Sequence, residues 1–372
     1  MPIYMDVHYV PGVEARDVAE AHQKDVMIQK DHSCKTMTYW IDEARGVAFC
    51  LIEAPDPSMV EEMHRQAHGL MPHKILEVSN ELVESFLGRI HDPEEATLSA
   101  DGLKVFHDPA FRILLVAEMT DPILLQHAMG VQQADDLLGR QNNMIRKQAA
   151  AHGGRLVQHP ANCRPVQHPG NSLIVSFSSA AAAVACALDI QQEAMTGVKL
   201  AVTAGQPIAT SNDLFGDALE LSARLCRWFS TGSKVAIGSA VKDLLARDDY
   251  QRHRRLLAVL SPGDEDLAGS LFRILEANWQ KPDFTVEEFC QATAMSKSRL
   301  YRKTITLSGL SPNALLKEFR LDKARLLLKR QSGNITETTF DSGFSSPSYF
   351  TKCFKKKFGL LPAMYRSKIT IV

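Results

Sequence analysis

The pattern of apolar and polar positions predicts a strand over residues 3–9, a helix over 14–30, strands over 36–42 and 47–53, a helix over 58–69 and a strand over 74–78. This is a βαββαβ order. Residues 81–109 are polar, carry His-Asp-Pro at 91–93 and again at 107–109, and read as a short helix and a linker. An apolar strand over 111–117 then leads into a helix over 124–151, stopped by His152-Gly153-Gly154. Strands over 155–158, 172–177, 199–204 and 234–238 alternate with helices over 180–195 and 216–228, the rhythm of an α/β sheet domain. Beyond 261–263 the pattern is helical throughout, over 265–280, 285–293, 297–308, 312–330, 335–342 and 347–358.

At 372 residues the chain exceeds what one core usually organises. The expected class is multidomain α+β. A ferredoxin-like domain over 1–80 is followed by a linker over 81–109, a central α/β domain over 110–260 and an all-α domain over 264–368. Hydrophobic residues at 45% and charged residues at 23% exclude wholesale disorder. The net charge of −1 hides a segregation: residues 281–372 carry 17 Lys+Arg against 7 Asp+Glu, leaving 25 against 36 in the rest. A basic third on an acidic body is expected where one domain meets a polyanion. The seven cysteines are scattered and form no CxxC pair, which argues against a disulfide framework or a zinc finger. No secretory signal is visible, and the longest uncharged stretch, residues 172–188, is too short and weakly apolar to span a bilayer. No membrane association and a cytoplasmic location are expected.

The basic third contains two helix-turn-helix patterns. In the first, Thr285 with Glu288 opens a helix, a turn passes through Met295, and Ser296 caps a second helix. Its outward residues should be Lys297, Ser298, Arg299, Arg302 and Lys303, with Leu300 and Ile305 facing the core. The second unit starts at Ile335, turns at Gly343 and places Pro347 in the first turn of its second helix. An amphipathic helix through Leu315 and Leu328 would space the units for successive major grooves, about 34 Å apart. Base reading is expected from Lys297, Ser298, Arg299, Arg302, Ser346, Ser348 and Thr351, and phosphate contact from Lys352, Lys355, Lys356 and Arg366. The runs Arg320-Leu321-Asp-Lys-Ala324-Arg325, Gly343-Phe344-Ser-Ser-Pro-Ser-Tyr349-Phe350 and Phe354-Lys-Lys-Lys-Phe358-Gly359 resemble the AraC/XylS DNA-binding domain over roughly 100 residues. The resemblance implies sequence-specific transcriptional regulation, usually activation, with promoter DNA and RNA polymerase as partners. Thr338-Thr339 departs from it, since the family usually has an apolar residue and alanine there, and looser packing of the second unit is expected.

Gly153-Gly-Arg-Leu-Val, Gly170-Asn-Ser-Leu-Ile-Val-Ser-Phe and Asp213-Leu-Phe-Gly216-Asp217-Ala-Leu-Glu220-Leu-Ser-Ala223-Arg224 resemble the class III nucleotide cyclase domain over about 130 residues. Such enzymes need two aspartates for two metals and an Asn/Arg pair. By this resemblance the first metal position is Glu118, the second is Asn171, which lacks the charge, and the helix Asn is replaced by Glu220. Arg224 alone is kept. The expectation is a pseudo-cyclase that serves pairing, so a homodimer or higher homo-oligomer. His159, Cys163 and His168 in a Pro-rich loop are a weaker metal candidate.

The first domain concentrates His8, His22, His32, His64, His68 and His73 with Cys34 and Cys50. His64 and His68 share a helix face at i,i+4 spacing, and His with Cys suits nickel, zinc or copper better than magnesium or calcium. Met5-Asp6-Val-His8, Ala21-His22, Phe49-Cys50-Leu-Ile-Glu53 and His64-Arg-Gln-Ala-His68-Gly resemble small ferredoxin-like proteins described as nickel-binding, over about 75 residues. The resemblance marks His8, His22, Cys50, Glu53, His64 and His68 as candidate ligands; spacing does not decide which share a shell. The leading reading is a DNA-binding regulator, not an enzyme, controlled by a metal ion or small ligand at the first domain. The competing readings are an enzyme with autoregulatory DNA binding, either a residual cyclase or a ferredoxin-like-domain activity, and a regulator whose upstream domains only oligomerise. Asn171 and Glu220 weigh against the cyclase, and no nucleophile–base arrangement supports the other activity.

Overall fold

A computed structural model of the chain describes residues 1–94, 96–99, 102–157, 171–193, 197–229, 234–331 and 333–369. The first domain contains β1 (Ile3–Tyr9), α1 (Ala15–Ile28), β2 (Lys35–Asp42), β3 (Val47–Glu53), α2 (Pro57–Ala67) and β4 (Lys74–Val78). Its antiparallel sheet has the order β2-β3-β1-β4, the ferredoxin-type arrangement expected. One face, through Tyr4, Ala48, Cys50 and Ile52, packs under α1 and α2 with Val18, Val60 and Met63.

The opposite face is buried as well. Helix α3 (Asn80–Leu87) is capped by Ser79 and ended by Gly88 at φ 86°. It inserts Val83, Phe86 and Leu87 between Met5, Val7, Trp40, Phe49 and Leu51 of the first sheet and Leu114, Val116 and Phe215 of the central domain. The segment read as polar therefore carries a core helix. A hairpin of β5 (Thr97–Leu98) and β6 (Lys104–Val105) follows it.

The central domain runs through β7 (Arg112–Met119), α4 (Pro122–Met129), α5 (Val131–Ala151), β8 (Arg155–Leu156), β9 (Ser172–Phe177), α6 (Ala180–Glu193), β10 (Val198–Gly205), α7 (Gly216–Trp228), β11 (Val235–Ile237), α8 (Ser239–Leu244), α9 (Arg247–His253) and β12 (Leu257–Val259). Its mixed sheet has the order β12-β11-β10-β7-β9-β8. The single helix expected over 124–151 is two helices: Gly130 at φ 88° and ψ 158° leaves the helical region and breaks the run. Residues 159, 163 and 168, the Pro-rich loop's candidate ligands, lie outside the described residues.

The C-terminal domain comprises α10 (Pro262–Asn278), α11 (Val286–Thr293), α12 (Lys297–Ser308), α13 (Pro312–Lys329), α14 (Ile335–Asp341), α15 (Pro347–Phe358) and α16 (Pro362–Ile369). Two small cores share α13. Leu315, Leu316 and Phe319 close the first with Phe289, Leu300 and Leu307, and Leu321, Ala324 and Leu328 close the second with Phe344, Phe350 and Phe354. Among the described residues no helix is long and apolar enough to cross a membrane.

Candidate metal centre and nucleic-acid interface

Asp6 and His8 lie two apart on β1, so strand alternation points both toward the helices. Helix α2 starts at the N-cap Asp56, whose carboxylate accepts from the Ser58 and Met59 amides, and it buries Val60, Met63 and His64 on one face. Asp25, on the buried side of α1, completes the group. His64 Nε2 lies 2.8 Å from Asp6 Oδ2, and its Nδ1 lies 3.1 Å from both Asp25 Oδ1 and His68 Nε2. His8 Nε2 is 3.3 Å from Asp6 Oδ1, and His68 Nε2 is 3.3 Å from Asp25 Oδ1. Two overlapping triads result, Asp6/His8/His64 and Asp25/His64/His68, each with donor atoms within 4.8 Å of one another.

The cluster is charged and almost dry, with His64 wholly buried. Burial alone disfavours the imidazolium, but Asp6 and Asp25 outweigh it and push His64 up to about 10. Burial likewise opposes the Asp6 and Asp25 charges, and the histidines outweigh it, holding both carboxyls below their usual range. A set of imidazoles and carboxylates converging from β1, α1 and α2 fits a borderline divalent ion.

The other sequence candidates are placed differently. Cys50, opposite Asp6 on β3, donates its backbone amide to Asp6 Oδ1 at 3.1 Å. Burial first, then the nearby Asp6 and Asp25 charges, pushes its thiol well up. Its side chain joins His8, His22 and His68 on the wall of a cavity of about 160 Å³. His22 stands 3.7 Å from Asp92 and packs against Tyr39, and its Nδ1 is buried without a hydrogen-bond partner. Glu53 is not brought to the cluster. It lies an odd number of residues from Cys50, hence on the other face of β3, and its carboxylate faces the N-terminal amine at 3.4 Å. Asp6 and Asp25, which histidine-led reasoning passed over, are the residues that bind the cluster together.

In the C-terminal domain, Thr285 and Glu288 form a reciprocal capping box on α11, and Ala294 at φ 52° makes the turn. Ser296 caps α12 by accepting the Arg299 amide. Leu300, Thr304 and Leu307 face inward, whereas Ile305 is 43% exposed, correcting its expected core position. Five residues after Leu300 is 500° of turn, about 140° away from the buried face. Lys297, Ser298, Arg299 and Arg302 are exposed and Lys303 is half-buried. Lys297 pairs with Glu287 at 2.7 Å and Lys303 with Asp264 at 3.4 Å.

In the second unit Gly343 takes φ 77°, and a Cβ there would collide with the Trp279 carbonyl oxygen. Ser346 caps α15 by accepting the Tyr349 amide. Ser348, Lys352, Lys355 and Lys356 are exposed, and Ser346, Thr351 and Arg366 are half-exposed. Thr338 and Thr339 are fully buried, yet their hydroxyls donate to the carbonyls of Asn334 at 2.9 Å and Ile335 at 2.8 Å. Their polarity is satisfied within α14, and the expected looseness has no counterpart there. The 18-residue α13 is about 27 Å long, and Arg320, donating to the carbonyls of Trp279 and Lys281, ties it to the end of α10.

Of the positions singled out by the expected cyclase resemblance, Asn171, Glu220 and Arg224 make contacts within the fold. Asn171 donates its amide to Thr120 O at 2.6 Å, and Glu220 pairs with Arg224 at 2.7 Å. The Arg224 guanidinium lies over Phe272 of α10, 5.1 Å from the ring centre. Glu118 and Asn171 line a cavity of about 340 Å³ whose far wall is Phe319, Asp322, Arg325 and Lys357 of the C-terminal domain.

Residues 289–368 match the family described as helix-turn-helix domain, and residues 4–78 match the family described as nickel responsive protein SCO4226-like. The HTH-type transcriptional regulator MtrA of Neisseria gonorrhoeae is 33% identical over 86 residues, 23% of this chain and 29% of that protein. The crystal structure of SCO4226 from Streptomyces coelicolor A3(2) is 34% identical, covering 20% of this chain and 94% of that one, with a TM-score of 0.20. A bacterial light-regulated adenylyl cyclase structure is 13% identical, covering 66% of this chain and 88% of that one, with a TM-score of 0.29. The chain spans less than half the length of the curated relatives it matches. The chain thus joins an N-terminal domain of the SCO4226-like nickel-responsive type to a C-terminal helix-turn-helix domain of the AraC type, through a central mixed-sheet domain.

Proposed function

We propose that this protein is a promoter-binding transcription regulator whose DNA affinity is set by a transition-metal ion at the first domain. The observation that carries the reading is the pair of solvent-facing cationic helices, α12 and α15, mounted on one spacer helix in a chain that also buries a five-residue His/Asp cluster. Arg299 and Arg302 read base edges, and Lys352, Lys355, Lys356 and Arg366 hold phosphates. His8, His64 and His68, with Asp6 and Asp25, would hold the ion, nickel ahead of zinc or copper. Its charge would replace the imidazolium that now balances the two aspartates. The central domain acts as a non-catalytic scaffold, a reading supported by the ties of Asn171, Glu220 and Arg224 within the fold. Pairing of two chains and contact with RNA polymerase in the cytoplasm complete the proposal. The test has two parts, nickel titration of the full chain beside its His64→Ala/His68→Ala variant, and binding of genomic promoter against random duplexes at physiological salt. Stoichiometric nickel lost in the variant, with preference for particular promoters, is expected. Nickel binding unchanged by the double substitution, or equal affinity for all duplexes, contradicts it.

A further inference from the structure

One polar link from the His/Asp cluster to the central domain runs through a short stretch of backbone beside His8. His8 sits on β1 between Val7 and Tyr9, and both neighbours are bonded to His73: the His73 amide donates to Val7 O at 2.8 Å, and the Tyr9 amide donates to His73 Nδ1 at 3.2 Å. His68 closes α2 five residues before His73. The next residue, Lys74, pairs with Val7 in the sheet. Its ammonium leaves the first domain altogether and donates to the carbonyls of Ala209 at 3.3 Å, Thr210 at 3.2 Å and Ser211 at 2.5 Å. Three acceptors satisfy all three donors of the ammonium. Among the described residues no other hydrogen bond joins the four-stranded sheet to this central-domain loop.

The loop is itself fixed to α7. The Phe215 amide donates to Pro207 O at 2.8 Å, closing it. Asp217, in the first turn of α7, accepts the Ser211 amide at 2.8 Å and the Thr210 hydroxyl. Helix α7 then touches both halves of the C-terminal domain, with Arg224 over Phe272 of α10 and Arg227 3.9 Å from Asp322 of α13. A rigid helix gripped at its first turn and packed at its last against α10 and α13 is suited to carry a displacement, since packed elements move as bodies and do not deform continuously.

We propose that Lys74 is the residue through which occupancy of the His/Asp cluster is transmitted to the DNA-binding domain. Ligation fixes His8 relative to His68, and so fixes the His73–Lys74 segment held between them. The Lys74 ammonium passes that position to the loop at 209–211, and Asp217 passes it to α7. Lys74 touches neither metal nor DNA and is a positioning residue. The inference rests on the metal-responsive reading above and adds the route.

The experiment measures promoter affinity of the full chain with and without saturating nickel, for the wild type, Lys74→Gln, Lys74→Arg and Asp217→Asn. Nickel affinity and amide hydrogen exchange over residues 207–216 are followed in parallel. The wild type is expected to show a nickel-dependent change within about 5- to 150-fold, with altered exchange in the loop. Lys74→Gln and Asp217→Asn should bind nickel and metal-free DNA as the wild type does, yet lose both the affinity change and the exchange change, and Lys74→Arg should keep part of each. Full coupling retained in Lys74→Gln overturns the proposal. Should that variant not fold, Asp217→Asn decides: coupling lost supports the route and coupling retained refutes it. A wild type whose DNA affinity ignores nickel while nickel binds refutes the metal-responsive reading itself, and the route with it.

Discussion

The Tyr365 hydroxyl donates to Asp121 Oδ2 at 2.9 Å across 244 residues of sequence, joining the last helix of the DNA-binding domain to the first turn of α4. Arg325 donates to the same oxygen at 3.0 Å, and the other oxygen accepts the Ile123 amide at 3.0 Å. Asp121 therefore caps a helix of one domain while anchoring the second helix-turn-helix unit of another. Removing a hydrogen bond to a buried charge costs about 1.5–3 kcal/mol. Tyr365→Phe is expected to lower the stability of the whole chain by about that amount in denaturant unfolding; an unchanged midpoint would show the contact to be dispensable.

Gly343 offers a backbone test of the second unit. At φ 77°, with the Trp279 carbonyl where a Cβ would sit, alanine has both conformational strain and a collision. The left-handed conformation alone costs roughly 1–2 kcal/mol. Gly343→Ala should exceed that figure and weaken promoter binding, as read by thermal unfolding and DNA titration; full stability would contradict the packing described.

Asp322 should make the packing of the C-terminal domain, and its contact with Arg227 of α7, pH-dependent. Burial alone would raise its carboxyl, but Lys357 at 2.8 Å, then Arg227 and Arg325, outweigh burial and hold it below the usual carboxylate range. A depressed folded value means the contribution is complete above the unfolded pKa of about 3.9 and is lost as pH falls through the folded value. The stability gap between wild type and Asp322→Asn should be open at neutral pH and close in acid. A gap independent of pH would contradict the ion-pair account.

The two proposed kinds of DNA contact should separate by salt and sequence. Replacing Arg299 or Arg302 with alanine should cost roughly 1–3 kcal/mol on the preferred promoter and relax its sequence preference. Replacing Lys355 should weaken binding to every duplex and reduce the salt slope by about one. Loss of the same size on all sequences from Arg299→Ala and Arg302→Ala would move those residues to the phosphate class.

The first domain was legible to the residue in three of its strands, because β1, β3 and β4 are bounded by Gly, Pro and Asp turn signals and filled with apolar residues. The helix-turn-helix units were legible for the same local reason, their caps and turn residues at fixed spacing. The cluster was legible in its histidines alone. Asp6 and Asp25 look like solvent-side polar positions of a strand and a helix, and only the packing of α1 and α2 over β1 leaves each 1% exposed. The second burial of the first sheet, by α3, was hidden in a segment whose polar residues and His-Asp-Pro repeats outnumber Val83, Phe86 and Leu87. The break at Gly130 inside the helix expected over 124–151 was hidden, since its φ of 88° has no local signal beyond the residue type. The grip of Lys74 on a loop 135 to 137 residues away has no local signature at all.

The most direct measurement is the affinity of the intact chain for one preferred promoter duplex, taken metal-free and nickel-saturated at fixed pH and salt. The account predicts a reproducible shift, of either sign, within about 5- to 150-fold, abolished in the His64→Ala/His68→Ala variant. Equal affinities in the two states, with nickel demonstrably bound, would contradict it.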